Sequence, residues 1–314
     1  MRGIDISEEV LARNSLGLLE TLLVDRATSG HIVWATDHYA YLGDEYAPER
    51  EITIASITGK NERLIQPRVA KAADVRWERT KDKAEVFTPS WLCNEQNNRV
   101  DDAWFGHPGA FNRSTEATWV LTEAKLPFTS SGAKTWKRYV DERRLEIACG
   151  EGPYLASRYD TTTGEMIALE RRIGVLDRKL RAVKENASDD DEWRIWARRS
   201  VESVYGYEYH GDSLLLAREN ILATYADYAI DALGTEPSTS ELEAIATVIS
   251  WNLWQMDGLT NAPPFQYGLQ GAPDELDIFG DLGARERTRC VLRDWRAKRT
   301  HDYLKLLRDG PGTK

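Results

Sequence analysis

Cysteine is scarce in this chain: three residues in 314, at Cys93, Cys149 and Cys290. None forms a Cys-x-x-Cys pair, so the sequence carries neither a disulfide framework nor a zinc-binding signature, and a reducing cytoplasm is the compartment it fits. Long apolar runs are also missing. No stretch approaches the roughly 18 to 20 residues that cross a bilayer, so no membrane association is expected. The opening residues, Met1 to Glu9, are too acidic for a secretory signal. Positive charge is not in excess either. A net charge of −10 argues against indiscriminate binding to nucleic acid, although it leaves room for a local basic face.

What is present is ordinary for a globular protein with a large core: 41% hydrophobic and 29% charged residues over a length that accommodates one large domain or two small ones. Tryptophan is abundant, with 11 residues, and indoles serve mainly to fill cores.

Along the chain, residues 8 to 26 show helical spacing of apolar side chains. Ile32 to Thr36 and Ile52 to Ile57 read as short strands, which makes residues 1–77 an α+β region. Residues 63 to 83 are locally basic. At 84–92 an extended segment ends at Pro89, and Ser90 is placed to cap a following helix. Asp101, Asp102, Glu123 and Lys125 have the residue types of a metal-dependent nuclease, in which acids hold a magnesium ion and lysine positions water. Residues 172 to 180 start a helix with a cationic face, 185 to 192 form an acidic surface loop, and 193 to 200 continue as helix.

The centre of the pattern is Leu145 to Leu155. A short apolar run ends on Glu146. Gly150 and Gly152 follow, both able to take positive φ, and Pro153 suits the first turn of a helix. Two further units repeat the theme. Val201 to Tyr209 is a strand closing on Glu208, followed by a strong helix from Leu214. The apolar run 242–249 leads to a third acid, Asp257. Acids at the carboxyl ends of successive parallel strands are placed to receive a nucleoside-type ligand, a ribose diol at Glu208 and an adenine amine at Asp257. The fold class expected is α/β.

As a set, these motifs resemble the cofactor half of the S-adenosylmethionine-dependent DNA adenine-N6 methyltransferases of restriction–modification systems, in particular those labelled restriction endonuclease subunit M. Phe87-Thr88-Pro89 matches that family's extended Phe-Thr-Pro segment. Glu146 to Gly152 matches its glycine loop, Tyr205-Gly206-Tyr207-Glu208 its second motif, and Asn252 with Asp257-Gly258-Leu259 its third. The resemblance spans about residues 78 to 260. It implies a Rossmann-like methyltransferase domain over 78–270 and S-adenosylmethionine as cofactor, held by Phe87, Thr88, Pro89, Glu146, Cys149, Gly150, Gly152, Glu208 and Asp257. It also implies double-stranded DNA as substrate, its target adenine flipped out of the duplex, and a restriction or specificity subunit as partner.

The family grips the flipped adenine with an Asn/Asp-Pro-Pro-Tyr/Phe loop after a fourth strand. Here the nearest match is Asn261-Ala262-Pro263-Pro264-Phe265, which carries an additional alanine and follows Asp257 with no strand between. Asn261, Pro263, Pro264 and Phe265 are thus the candidate catalytic residues. The methyltransferase domain is short at its C-terminal end, and 271–314 reads as a basic extension with a tail helix. Two functions remain in view: an active methyltransferase or modification subunit, and a catalytically inactive cofactor-binding or interaction subunit that lacks a complete catalytic loop.

Overall fold

The computed structural model describes residues 3–71, 88–265 and 288–308. Phe87, most of the 63–83 basic run, and residues 271–287 of the basic extension lie outside the described residues. The fold is mixed helix and sheet, built on a three-stranded parallel sheet. In chain order the elements are α1 (Glu8–Asn14), α2 (Leu16–Leu23), α3 (Ile54–Ile57), α4 (Ser90–Phe105), β1 (Asn112–Thr115), β2 (Thr118–Leu121), α5 (Trp136–Asp141), β3 (Arg144–Glu146), α6 (Val175–Asn186), α7 (Asp190–Glu202), β4 (Val204–Glu208), α8 (Gly211–Leu233), α9 (Thr239–Asn252), β5 (Leu253–Gln255), β6 (Val291–Asp294), β7 (Arg299–Asp302) and α10 (Tyr303–Arg308). Among the described residues no helix is long and apolar enough to cross a membrane.

The parallel sheet has the order β3-β4-β5. Leu145 pairs with Tyr205, and Tyr207 with Trp254. Each parallel step needs a long crossover. Helices α6 and α7 make the first and α8 and α9 the second. Alternation along the strands sends neighbouring side chains to opposite faces. Val204 and Leu253 join the main core, which runs continuously from Ile6 to Leu253. Tyr205, Trp254 and Met256 point the other way, into a smaller cluster closed by Cys290 and Tyr303. The C-terminal segment is therefore the cover of one sheet face.

The N-terminal residues are fastened to the sheet by polar groups. Gln255 at the end of β5 accepts a hydrogen bond from the Val33 amide (2.8 Å) and donates to the carbonyls of Val33 (2.8 Å) and Tyr209 (2.7 Å). The Gly211 amide donates to Trp34 O at 3.0 Å, and a Cβ at Gly211 would lie 2.1 Å from Val33 O. Only glycine lets the two backbones pass there. Deeper still, the fully buried Arg218 of α8 donates to Leu253 O (3.0 and 2.6 Å), Leu22 O (2.5 Å) and Val24 O (3.0 Å).

Several local expectations are corrected. Ile52 to Ile57 is not a strand: Thr53 and Ser56 form a reciprocal capping box, which starts the helical turn α3. Residues 32 to 36 make only isolated bridges, such as Val33 with Glu51. No helix begins at Pro153; residues 152–156 close one turn, and the next long helix waits until Val175. The acidic stretch is not all loop, because Asp189 caps α7 and Asp190, Asp191 and Glu192 fill its first turn, where the helix dipole favours them. Two cationic side chains of α6 face inward: Arg178 and Lys179 are buried. The basic tail is mainly a β6–β7 hairpin, with Arg293 against the Trp251 and Trp295 rings.

Replacing Arg218 by methionine keeps the apolar stem but leaves three buried carbonyls without their donor. Arg218→Met is expected to lower stability by about 3–5 kcal/mol, read as a lower urea midpoint at unchanged slope; an unchanged midpoint would show that Arg218 is not the tie described.

Candidate functional site

The site is a cavity of about 440 Å³ beside β3. That volume suits a small ligand. Its walls come from Thr88, from Gln96, Asn97 and Asp101 on α4, and from Arg144 to Ala148 with Tyr154 and Arg178. The carboxyl end of β3 delivers Glu146 to it directly.

Thr88 is set at the rim by its neighbours. Asp160 accepts from the Ser90 amide at 2.7 Å, and the Thr161 hydroxyl donates to Thr88 O at 3.3 Å. Pro89, extended at φ −62° and ψ 147°, precedes the first turn of α4. Burial pushes the Asp160 carboxyl up, but hydrogen bonds from Thr162 and Ser90 outweigh this and hold it below its usual range.

After Glu146 the chain makes a strained loop. Ala148, Gly150 and Gly152 all have positive φ, at 48°, 54° and 75°. For Ala148 this conformation costs on the order of 1 kcal/mol. The Cys149 amide continues the sheet ladder to Tyr207 O at 2.8 Å, and the Gly152 amide closes a turn on Cys149 O at 2.8 Å. Glu151 points inward, accepting from the Arg68 amide and from the Tyr159 hydroxyl, both at 2.6 Å. Cys149 packs against Gly206, and its thiol is pushed well up by burial and by the carboxylates of Glu146 and Glu208. It is a packing residue rather than a nucleophile.

The two strand-end acids differ. Glu146 is pushed well above the usual carboxyl range by burial; the amides of Tyr154 and Leu155 pull it down and Glu208 pushes it further up. Its Oε2 has no hydrogen-bond partner. Burial pushes Glu208 up as well, but the His210 side chain and the His210 and Gly150 amides outweigh burial and hold it low. Its oxygens accept from Gly150 N at 2.8 Å and His210 N at 3.1 Å, with the His210 ring at 3.2 Å. Glu208 thus braces the glycine loop, and Glu146 keeps an unsatisfied oxygen.

The structure brings Thr88, Glu146 and the start of the loop around one cavity. Cys149, Gly150, Gly152, Glu208 and Asp257 do not line it. Asp257 lies just beyond β5, two strands or about 10 Å across the sheet from β3. It is engaged in its own turn, where its carboxylate accepts from the Leu259 amide at 2.8 Å and its carbonyl from Asn261 N at 2.7 Å. Asn261 and Phe265 have positive φ; Pro263 and Pro264 are buried and Phe265 is 45% exposed. None of Asn261 to Phe265 lines the cavity.

The inner wall is a polar knot that the sequence reading passed over. Arg178 donates to Asp101 Oδ2 (2.5 Å), Asn94 Oδ1 (2.8 Å), Asn98 Oδ1 (2.8 Å) and Ile173 O (3.0 Å). Asn97 donates to Tyr154 O and Ile173 O, both at 3.1 Å, and the Tyr139 hydroxyl to Asp101 at 3.0 Å. Asn94, Asn97, Asn98 and Asp101 recur at i, i+3, i+4 and i+7, a polar stripe at helical spacing. That stripe was the available signal. With Asp101 bound to Arg178, Asp102 receiving the Gly109 amide at 3.1 Å, and Glu123 and Lys125 exposed, the nuclease set is not assembled. Among the described residues no group of three or more His, Cys, Asp or Glu could hold a metal ion.

Asp101→Asn removes the charge opposite a buried guanidinium at nearly constant volume. We expect a loss of about 3 kcal/mol or more in thermal or urea unfolding; a loss under about 1 kcal/mol would place the knot in contact with solvent. No protein-family model, curated protein or solved structure matches this chain.

Proposed function

We propose that this chain is the S-adenosylmethionine-holding part of a DNA adenine-N6 methyltransferase, or a modification subunit of a restriction or defence system, built on a Rossmann-like frame and working in the cytoplasm on double-stranded DNA. The supporting observation is the cavity at the carboxyl end of β3, with Thr88 at its rim and a buried Glu146 oxygen that has no partner inside the protein. An unsatisfied buried acceptor is costly, and a ligand ammonium or hydroxyl would satisfy it. The cofactor would supply an electrophilic methyl group. Glu146 would hold its polar end, and the loop braced by Glu208 would let backbone approach it closely.

A second reading has its own support. Among the described residues no strand pairs with the outer edge of β3, and Leu145 and Ile147 there are 46% and 66% exposed. None of Asn261 to Phe265 lines the cavity. In this reading the chain holds the cofactor, and a restriction or specificity subunit, or another partner chain, supplies the group that grips the base.

Calorimetry tests the shared claim: binding of S-adenosylmethionine is expected, and none at about 1 mM ligand, the level of −4 kcal/mol, would remove both readings. Glu146→Gln is expected to fold and to weaken binding by tenfold or more, with stability at neutral pH equal or higher, since an amide does not pay for burial of charge. Labelled-methyl transfer to duplex DNA then separates the readings. Activity lost in Asn261→Ala supports the active enzyme; no transfer by a chain that binds the cofactor supports the holding subunit.

A further inference from the structure

Among the described residues four charged side chains line the cavity beside β3: Asp101, Arg144, Glu146 and Arg178. Two of them are already engaged. Arg178 donates to Asp101, Asn94 and Asn98, and Asp101 also accepts from the Tyr139 hydroxyl. The other two are not. Among the described residues the Arg144 guanidinium has no hydrogen-bond or ion-pair partner, and Glu146 Oε2 has no hydrogen-bond partner. Opposite charges that line one small cavity are expected to pair, because an unpaired charge away from water is costly. These two do not pair with each other.

Their placement is set by the backbone. Arg144 opens β3 opposite Val204, its amide donating to Ser203 O at 3.0 Å, and Glu146 ends the strand opposite Gly206. Two residues apart, they share one face of the strand, with Cα atoms roughly 6.5 Å apart. Both are half-buried, whereas Leu145 between them is exposed.

We infer that Arg144 and Glu146 form a receptor for an α-amino-acid group, Arg144 pairing with its carboxylate and the free Glu146 oxygen with its ammonium. A guanidinium fork matches a carboxylate through two parallel hydrogen bonds. An ammonium supplies the donor that Glu146 Oε2 lacks. A ligand carrying only one of the two charges would leave the other protein group unpaired. Val100, Leu155 and Val175 supply apolar wall for the ligand's side chain. The inference rests on the reading of this cavity as the S-adenosylmethionine site, whose amino-acid end it assigns, and it adds a specificity-determining residue, Arg144, that lies outside the matched motifs.

Calorimetry on the full chain with S-adenosylmethionine, its decarboxylated form and L-methionine tests the receptor. In wild type, loss of the carboxylate is expected to weaken binding by about tenfold or more. Arg144→Met should weaken S-adenosylmethionine by a similar factor and leave the decarboxylated form within about twofold, and Arg144→Lys should recover part of the loss. Equal weakening of both ligands, the mark of a purely structural arginine, overturns the proposal. Equal binding of the two ligands by wild type also overturns it, needs no variant to fold, and leaves the cofactor reading standing. Conversely, L-methionine bound by wild type and lost in Arg144→Met, with no binding of S-adenosylmethionine, keeps the receptor and removes the cofactor reading. Binding of neither at about 1 mM removes both.

Discussion

The buried guanidinium of Arg218 holds the two ends of the chain's logic together. It sits on α8, yet it donates to Leu253 O at the start of β5 and to Leu22 O and Val24 O where α2 ends. Burial lowers its pKa to about 10, the nearby Asp25 raising and Arg26 lowering it, so it stays charged at neutral pH. Its hydrogen-bond partners are carbonyl dipoles rather than a carboxylate. Charge-assisted bonds of this kind offset desolvation only when their geometry is satisfied all round. The N-terminal residues and the parallel sheet therefore belong to one core: Leu19, Leu22, Leu23, Ile32 and Trp34 share it with Val204 and Leu253. An α+β region beside a separate ligand domain is a description of the sequence, whereas the packing joins the two.

What could be read from residue patterns divides along physical lines. β4 and α8 were legible because their apolar runs are buried as the runs suggest, whereas the apolar run 242–249 belongs to the helix α9 and only Leu253–Gln255 is strand. The glycine loop was legible as well, since Gly150 and Gly152 do adopt positive φ. Short segments were not. Ile52 to Ile57 alternates like a strand, but one pair of hydroxyls, Thr53 and Ser56, decides for a helical turn. Arg178 and Lys179 read as part of a cationic face, and only tertiary context buries them. The same blindness hid the α4 stripe. Asn94, Asn97, Asn98 and Asp101 look like a water-facing surface until Arg178 is found behind them.

The candidate site shows what strand-end acids can and cannot reveal. Glu146 and Glu208 end neighbouring strands and were given parallel roles. Geometry separates them, because Glu208 spends its oxygens on Gly150 and His210 while Glu146 retains one free. Spacing along a chain cannot report which lone pairs are already used. Nor can it report a local turn: Asn261 folds back on Asp257, its amide donating to that carbonyl at 2.7 Å, and does not line the cavity.

The two edges of the sheet then carry different meanings. Next to β5, the β6–β7 hairpin and Tyr303 close the face, Trp295 donates to Asn252 at 2.7 Å, and the Tyr205 hydroxyl reaches Arg293 O at 2.9 Å. At β3 the described chain offers no such cover. Among the described residues no strand pairs with its outer edge, two aliphatic side chains are exposed beside it, and the cavity with its unsatisfied carboxyl runs along the same strand. Among the described residues the two edges thus differ: the side next to β5 is covered by the hairpin, and β3 is lined by the cavity that receives Glu146.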